Sequence, residues 1–319
     1  KKEGIDKTTS VYDFAGKVLR TKTDHSISGG TPLTTSRKMT YDHAGRLLQT
    51  DHSTNNGPAV TLAKNEYNEL GQLITKNLHS EGSDFKQQVD YRYNIRGWLK
   101  RINDSDLTTN DGGPRDHFGM QLFYEDGGQF NGNIGVMLYS RNLGGTFTTP
   151  VTGNNLGVYA FSYDPMNRLR NAQSIFSPED PEEEETNDFS ERDIEYDLNG
   201  NIKKLRRIGK AESVMDNLTY SYIGNQLTTV SDQGETDKGF IDGNTMGNDF
   251  LYDTNGNMIK DKNKDIDTIE YNHLNLPRRV TKSNGEYLKY IYNAAGVKLS
   301  QEVYNASDEL QKKSDYLGE

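Results

Sequence analysis

Across 319 residues Asp and Glu outnumber Lys and Arg by 47 to 37, and the net charge of −10 argues against a nucleic-acid partner, which needs a clustered basic face. Cysteine is absent, which excludes disulfides and thiolate metal sites and leaves the compartment open. No run approaches the roughly 18 apolar residues of a membrane helix, and a hydrophobic content of 32%, with 19 Tyr included, is low for a dense core.

In chain order, one phrase keeps returning: an apolar or aromatic residue, Tyr, Asp or Asn, two or three variable residues, Gly, a polar residue and an aliphatic one. Residues 1–105 hold four copies: Tyr12-Asp13 with Gly16, Tyr41-Asp42 with Gly45, Tyr67-Asn68 with Gly71, and Tyr93-Asn94 with Gly97. The step from Tyr41 to Tyr67 to Tyr93 is 26 residues each time. Over 106–160 the pattern degrades into Gly- and Asn-rich sequence such as Asp111-Gly112-Gly113-Pro114, although Phe123-Tyr124 and Met137-Leu138-Tyr139 still read as strands. Over 161–319 the copies resume at Tyr163-Asp164 with Asn167, Tyr196-Asp197 with Gly200, a shortened Tyr222 copy, Tyr252-Asp253 with Gly256, Tyr271-Asn272 with Asn275, and Tyr292-Asn293 with Gly296. An acidic segment rich in Pro, Ser177 to Pro181 and then Glu182 to Glu185, interrupts them as a mobile loop.

Each copy reads as a β-hairpin. Short β-rich runs end at the Tyr, and the aliphatic residue six positions on starts another, as at Leu47 and Leu73. The residues between must reverse the chain: Asp or Asn bonds to the backbone ahead, and position four after the Tyr is Gly or, twice, Asn. Gly and Asn share tolerance of the left-handed backbone region, which a short hairpin loop with a bulge requires. A chain written by repeating one unit is built by stacking it, so the fold is all-β, one continuous array of about ten or eleven hairpins with negligible helix. Tyr supplies much of the buried area, its ring packed on the sheet and its hydroxyl near water.

The chain resembles the YD-repeat or RHS-repeat family, whose unit is Tyr-Asp-x-x-Gly-Arg-Leu. Tyr41-Asp42-His43-Ala44-Gly45-Arg46-Leu47 is nearly that consensus, with Tyr196 to Ile202 and Tyr252 to Met258 as close variants. The resemblance implies a long sheet of hairpins coiling into part of a hollow shell, in large secreted or surface proteins that enclose a carboxy-terminal toxin or other cargo. It implies partners among the remaining shell segments, a cargo domain and a secretion apparatus, with no membrane insertion by this segment. The segment that closes such shells and releases the cargo by aspartyl autoproteolysis is not seen before Tyr316-Leu317-Gly318-Glu319, so the chain reads as wall material. Bacterial secretion or a cell-surface location follows from the same resemblance.

No catalytic, cofactor or metal residues emerge, and an enzyme is not expected. The acidic run lacks the fixed separation that catalytic carboxylates need. Asp261-Lys262-Asn263-Lys264-Asp265-Ile266-Asp267 starts like a calcium loop, yet Ile266 stands where the sharp turn needs Gly and Asn272 where a bidentate Glu belongs, so a polar hairpin turn is expected. His25, His43, His52, His79, His117 and His273 show no metal spacing. Asp164-Pro165 is a repeat turn and Asp180-Pro181 lies in the acidic loop, so neither supports self-cleavage. Lys203-Lys204-Leu205-Arg206-Arg207 reads as the solvated face of a strand. The alternative function is an adhesion or glycan-binding module, which requires a contiguous exposed platform of Tyr rings and Trp98. A hydrolase using surface carboxylates would require a pocket holding two acids at working separation.

Overall fold

A computed structural model describes residues 4–27, 29–82, 84–104, 107, 116–125, 128–141, 156–176, 189–235 and 237–316. The acidic loop at 177–185, with the Asp180-Pro181 dipeptide, and the stretch 111–114 lie outside the described residues. The chain divides into two compact units, Lys1–Phe161 with Ile175–Thr186, and Ser162–Ser174 with Asn187–Glu319.

The first unit carries β1 (Gly4–Tyr12), β2 (Val18–Ile27), β3 (Leu33–Tyr41), β4 (Leu47–Thr54), β5 (Val60–Tyr67), β6 (Leu73–Glu81), β7 (Asp84–Tyr93), β8 (Leu99–Ile102), β9 (Phe118–Phe123), β10 (Val136–Arg141) and most of β11 (Leu156–Tyr163). Each pairs antiparallel with the strand before it in sequence, without crossover. The second unit carries most of β12 (Leu169–Phe176), then β13 (Glu191–Tyr196), β14 (Ile202–Ile208), β15 (Val214–Ile223) and β16 (Gln226–Asp232), again paired in chain order. A separate sheet follows in the same unit: β17 (Phe250–Tyr252), β18 (Met258–Asp261), β19 (Ile266–Tyr271), β20 (Pro277–Lys282), β21 (Tyr287–Tyr292), β22 (Lys298–Tyr304) and β23 (Leu310–Asp315). Helix among the described residues is limited to two three-residue 3-10 turns, Lys210–Glu212 and Lys262–Lys264, and a 3-10 residue at Glu125.

One register slip recurs from hairpin to hairpin. Thr40 faces Gln49 but Tyr41 faces Leu47, so Leu48 is an extra residue bulged out of the second strand. The same slip falls directly before Tyr12, Tyr67, Tyr93, Tyr196, Tyr222, Tyr252, Tyr271, Tyr292 and Tyr304. Outside the shortened copy the Tyr in these hairpins is therefore the last paired residue of its strand and faces the residue six on across the turn, aliphatic except for Pro277 opposite Tyr271 and Lys298 opposite Tyr292. In the shortened copy, where Tyr222 faces Leu227, a two-residue turn of Gly224-Asn225 does the same work.

The apolar core is thin. Only eight hydrophobic side chains among the described residues are buried. Three of them, Leu218, Val230 and Phe250, form one cluster that packs β15 and β16 against β17, with Leu205, Leu227, Phe240 and Met258 around it. The loop between these sheets is tied down by buried carboxylates. Asp216, wholly buried, pairs with Arg207 Nε at 2.6 Å and accepts the Phe240 amide at 2.6 Å. Asp249, also wholly buried, accepts from the Val230 amide and from Asn244 Nδ2, both at 2.7 Å. Buried charge is tolerated where each oxygen is met by a donor or cation.

Candidate functional site

The repeated turn is the feature with a defined side-chain geometry. In each copy the amide of the Asp or Asn donates to the carbonyl four residues on, and the residue at position four after the Tyr donates back to the Asp or Asn carbonyl, as in Asp42 N to Arg46 O at 3.0 Å and Gly45 N to Asp42 O at 3.0 Å. The Asp or Asn side chain then braces the loop from inside. Asp164 Oδ1 accepts the amides of Met166 and Arg168, both at 2.9 Å, and Asp197, Asp253, Asn94, Asn272 and Asn293 repeat the pair. In the remaining copies Asp13, Asp42 and Asn68 accept the second of these amides, from Lys17, Arg46 and Gln72.

Gly16, Gly45, Gly71, Gly97, Gly200, Gly256 and Gly296 all have φ between 79° and 90°, and Asn167 and Asn275 take φ of 62° and 56°. Only Gly, Asn and Asp reach this left-handed region at small cost. These contacts set the acidity of the turn. The backbone amide of Arg46 holds the Asp42 carboxyl below its ordinary value, and that of Arg168 does the same for Asp164. For Asp197 and Asp253 the side-chain amides of Asn201 and Asn257 act first.

A second set of bonds joins one repeat to the next. The hydroxyl of Tyr41 donates to the carbonyl of Val18, Tyr67 to Leu47, Tyr93 to Leu73, Tyr196 to Leu169, Tyr222 to Ile202, Tyr252 to Leu227, Tyr271 to Met258 and Tyr292 to Pro277, all at 2.6–2.9 Å. For Val18, Leu47, Leu73, Ile202, Leu227, Met258 and Pro277 the acceptor is the residue that faces the preceding repeat's Tyr across its turn. These rings are half-buried, and their hydroxyls meet protein where sequence reasoning placed them near water. Burial raises the phenol pKa of Tyr93, Tyr196, Tyr222, Tyr252, Tyr271 and Tyr292 above the ordinary 10.0.

The polar residue five after the Tyr adds a bridge in the same direction. Arg46 pairs with Asp42 at 2.6 Å, reaches the Asn68 carbonyl at 3.4 Å, and lies 5.0 Å over the Tyr67 ring. Arg168 repeats this with Asp164 at 2.6 Å, the Asp197 carbonyl at 3.1 Å and the Tyr196 ring at 4.5 Å. Where Asn occupies that position, Asn257 joins Asp253 to Asn275 by its side-chain amide, at 3.0 and 3.1 Å.

One copy escaped sequence reasoning. Tyr304-Asn305 has the full turn, with Asp308 at φ 64° where Gly or Asn stands elsewhere, so the left-handed position admits a third residue type. The phase of Tyr304, Asn305 and Leu310 was the available signal. Tyr124, at a strand end in the degenerate stretch, repeats the stitch: its hydroxyl donates to Leu99 O at 2.7 Å, and Gly128 turns the chain at φ 74°. At the last copy the pattern departs. Tyr304 bonds to Glu302 and stacks on Tyr287 at 4.6 Å, while Tyr287 donates to Asp308, which pushes its phenol up to about 12.

The other candidates resolve differently. Asp267 pairs with Lys260 at 2.6 Å, and residues 262–265 form the tight connection between β18 and β19. No group of three or more His, Asp or Glu able to hold a metal occurs among the described residues. Lys203 to Arg207 lie on β14, where Lys204 pairs with Glu195 at 3.1 Å and Arg207 with buried Asp216. The Trp98 ring is flanked by Arg96 at 5.0 Å and Tyr124 at 5.1 Å and closed from another side by Gly132, so it is no open platform. No helix among the described residues is long and apolar enough to cross a membrane.

No family model and no curated protein matches the chain. Solved structures do. The chain is similar to the TcdB2-TccC3-TEV crystal structure, with a TM-score of 0.59 and 14% identity over 98% of this chain and 16% of that one. It is similar to TcdB2-TccC3-Cdc42 with a TM-score of 0.60 and 17% identity, over 95% of this chain and 14% of that one. Identities this low define a shared fold of consecutive hairpins. The chain spans about one sixth of the length of these structures.

Proposed function

We propose that this chain is wall material of an RHS or YD-repeat shell in a secreted bacterial protein that encloses or presents a toxin or other cargo, and that it does no chemistry of its own. The observation that carries the reading is the run of tyrosine hydroxyls stitched to the preceding repeat. Hairpins are braced internally by their Asp or Asn and fixed to the one before by the Tyr hydroxyl, with a cation over the ring at Tyr41, Tyr67 and Tyr196, which suits a stiff sheet. The fold likeness to the TcdB2-TccC3 structures over nearly the whole of this chain supports it. Neighbouring shell segments and a cargo domain are the partners this reading requires, and a secretion apparatus is the route.

The test is to express the full gene product that contains this chain and image it by electron microscopy, with protease added to a parallel sample. Hollow particles holding a protease-resistant cargo domain are expected. An open array whose every non-repeat domain is digested would sink the reading, and retention of such an array on a glycan surface would put adhesion in its place.

A further inference from the structure

The run from Lys203 to Arg207 divides between the two faces of β14. Leu205 and Arg207 turn toward the core and Asp216, while Lys204 and Arg206 share the other face. There Lys204 lies opposite Glu195 of β13 and pairs with it at 3.1 Å. The next rung sets Arg192 directly opposite Arg206. Like charges so placed destabilise a ladder. Neither arginine makes an ion pair or a side-chain hydrogen bond among the described residues, and Arg206 Nε, hidden from solvent, meets no acceptor. A half-buried guanidinium without an acid is costly, and an anion seated between the two would offset their repulsion.

Arg206 lines a shallow pocket of about 450 Å³ together with Arg170, Asp193, Asn217 and Gln233. Arg192 borders it across the ladder. Asp193 is carried to the wall by a bulge, at φ 55°, where Asp193-Ile194 stand opposite Leu205 alone. Three guanidinium groups offer more N–H donors than one carboxylate can accept, whereas the oxygens of a phosphate or sulfate group take donors from several sides. The Asp193 carboxylate and the Asn217 and Gln233 amides are groups that bond hydroxyls. Among the described residues no aromatic ring lines the pocket, so a nucleobase has nothing to stack on.

We propose that this face of the second unit binds a sugar phosphate or sugar sulfate. The anionic group lies between Arg206, Arg192 and Arg170, and the sugar hydroxyls meet Asp193, Asn217 and Gln233. The proposal rests on these side chains and goes beyond the wall reading.

Calorimetric titration of the whole chain at constant ionic strength tests it, with glucose 6-phosphate, glucose 6-sulfate, glucose and inorganic phosphate as probes. At least one ester should bind with a Kd of about 1 mM or below, and about ten-fold more tightly than glucose or inorganic phosphate. The tighter of the two esters identifies the anion. Arg206→Gln and Arg170→Gln should each weaken that ester about ten-fold, Arg170 being exposed so that one variant keeps its fold. Lys203→Gln, which removes the same charge from the opposite face of β14, should leave the affinity unchanged. Without ligand, Arg206→Gln should melt no lower than the parent, because a like-charge pair has been removed. Failure of both esters to bind overturns the proposal. So does inorganic phosphate binding as tightly as the esters, which would leave only unselective anion attraction. An equal loss in Lys203→Gln and the arginine variants would overturn it too, by reducing the effect to net charge.

Discussion

Gly45 and Gly256 occupy the same place in two repeats and differ in what surrounds them. Both sit at positive φ, 83° and 84°, but a β-carbon at Gly45 would fall against the end of the Lys17 side chain, whereas at Gly256 the nearest atom is 3.9 Å away. Replacing either by Val should lower stability by roughly 1 to 3 kcal/mol, because strain from the left-handed backbone is common to both and Lys17 is free to swing aside. An unchanged thermal midpoint would remove the turn assignment.

The tyrosines allow a finer comparison. Tyr67 and Tyr93 donate to Leu47 and Leu73, but Leu47 O also accepts from Asn65 Nδ2 at 2.9 Å. Tyr93→Phe should therefore cost about 1.5 kcal/mol and Tyr67→Phe about 0.5, read from urea midpoints, with Tyr12→Phe at the exposed first copy within about 0.5 of zero. The conformational role of these residues was legible in the sequence, since only a backbone requirement explains an exchange confined to Gly and Asn. The hydroxyl bond was not, because its acceptor is a main-chain carbonyl in a different repeat, and nothing in a side-chain pattern marks a carbonyl.

At the scale of the hairpin, Asp and Asn build the same turn but differ in what acid does to it. The carboxyls of Asp42, Asp164, Asp197 and Asp253 lie below the ordinary 3.8 when folded. A depressed folded pKa means stability that is present above 3.8 and lost as pH falls through the folded value, while hairpins closed by Asn68, Asn94, Asn272 or Asn293 carry no such term. Replacing all four Asp by Asn should lower the thermal midpoint at neutral pH, where the charged carboxyls contribute, and flatten its fall between about pH 4 and pH 2. An equal acid loss in parent and variant would place the acid sensitivity elsewhere.

Hairpin positions were readable because the Tyr ends a strand and the aliphatic residue six on begins the next. The Tyr304 copy was hidden by an acid at the left-handed position. The break between the sheets after Asp232 was hidden too. It depends on Asp216 and Asp249 being buried against Arg207 and Asn244, and an Asp in a polar sequence gives no sign that tertiary packing will bury it.

Across the whole molecule, a thin apolar core leaves much of the cohesion to contacts between repeats. A stack of units in nearest-neighbour contact has a stability set by unit and interface terms, so weakening every interface should uncouple the stack. Alkali reaches those interfaces selectively. Burial raises the phenols of Tyr93, Tyr196, Tyr222, Tyr252, Tyr271 and Tyr292 above 10.0, so the stability they confer is fully present below pH 10.0 and is lost as pH rises through the folded values. Deprotonation removes the only proton each hydroxyl can donate and sets an anion against a carbonyl oxygen. From pH 8 to about pH 12 the urea midpoint should fall in step with the slow fraction of tyrosinate absorbance, and the slope of the transition should decrease as repeats melt in smaller groups. Phe at Tyr93, Tyr196 and Tyr252 should lower the midpoint at pH 8 and shrink its further loss in alkali. Full tyrosinate formation with an unshifted midpoint would mean that the hydroxyl bonds do not hold neighbouring hairpins together.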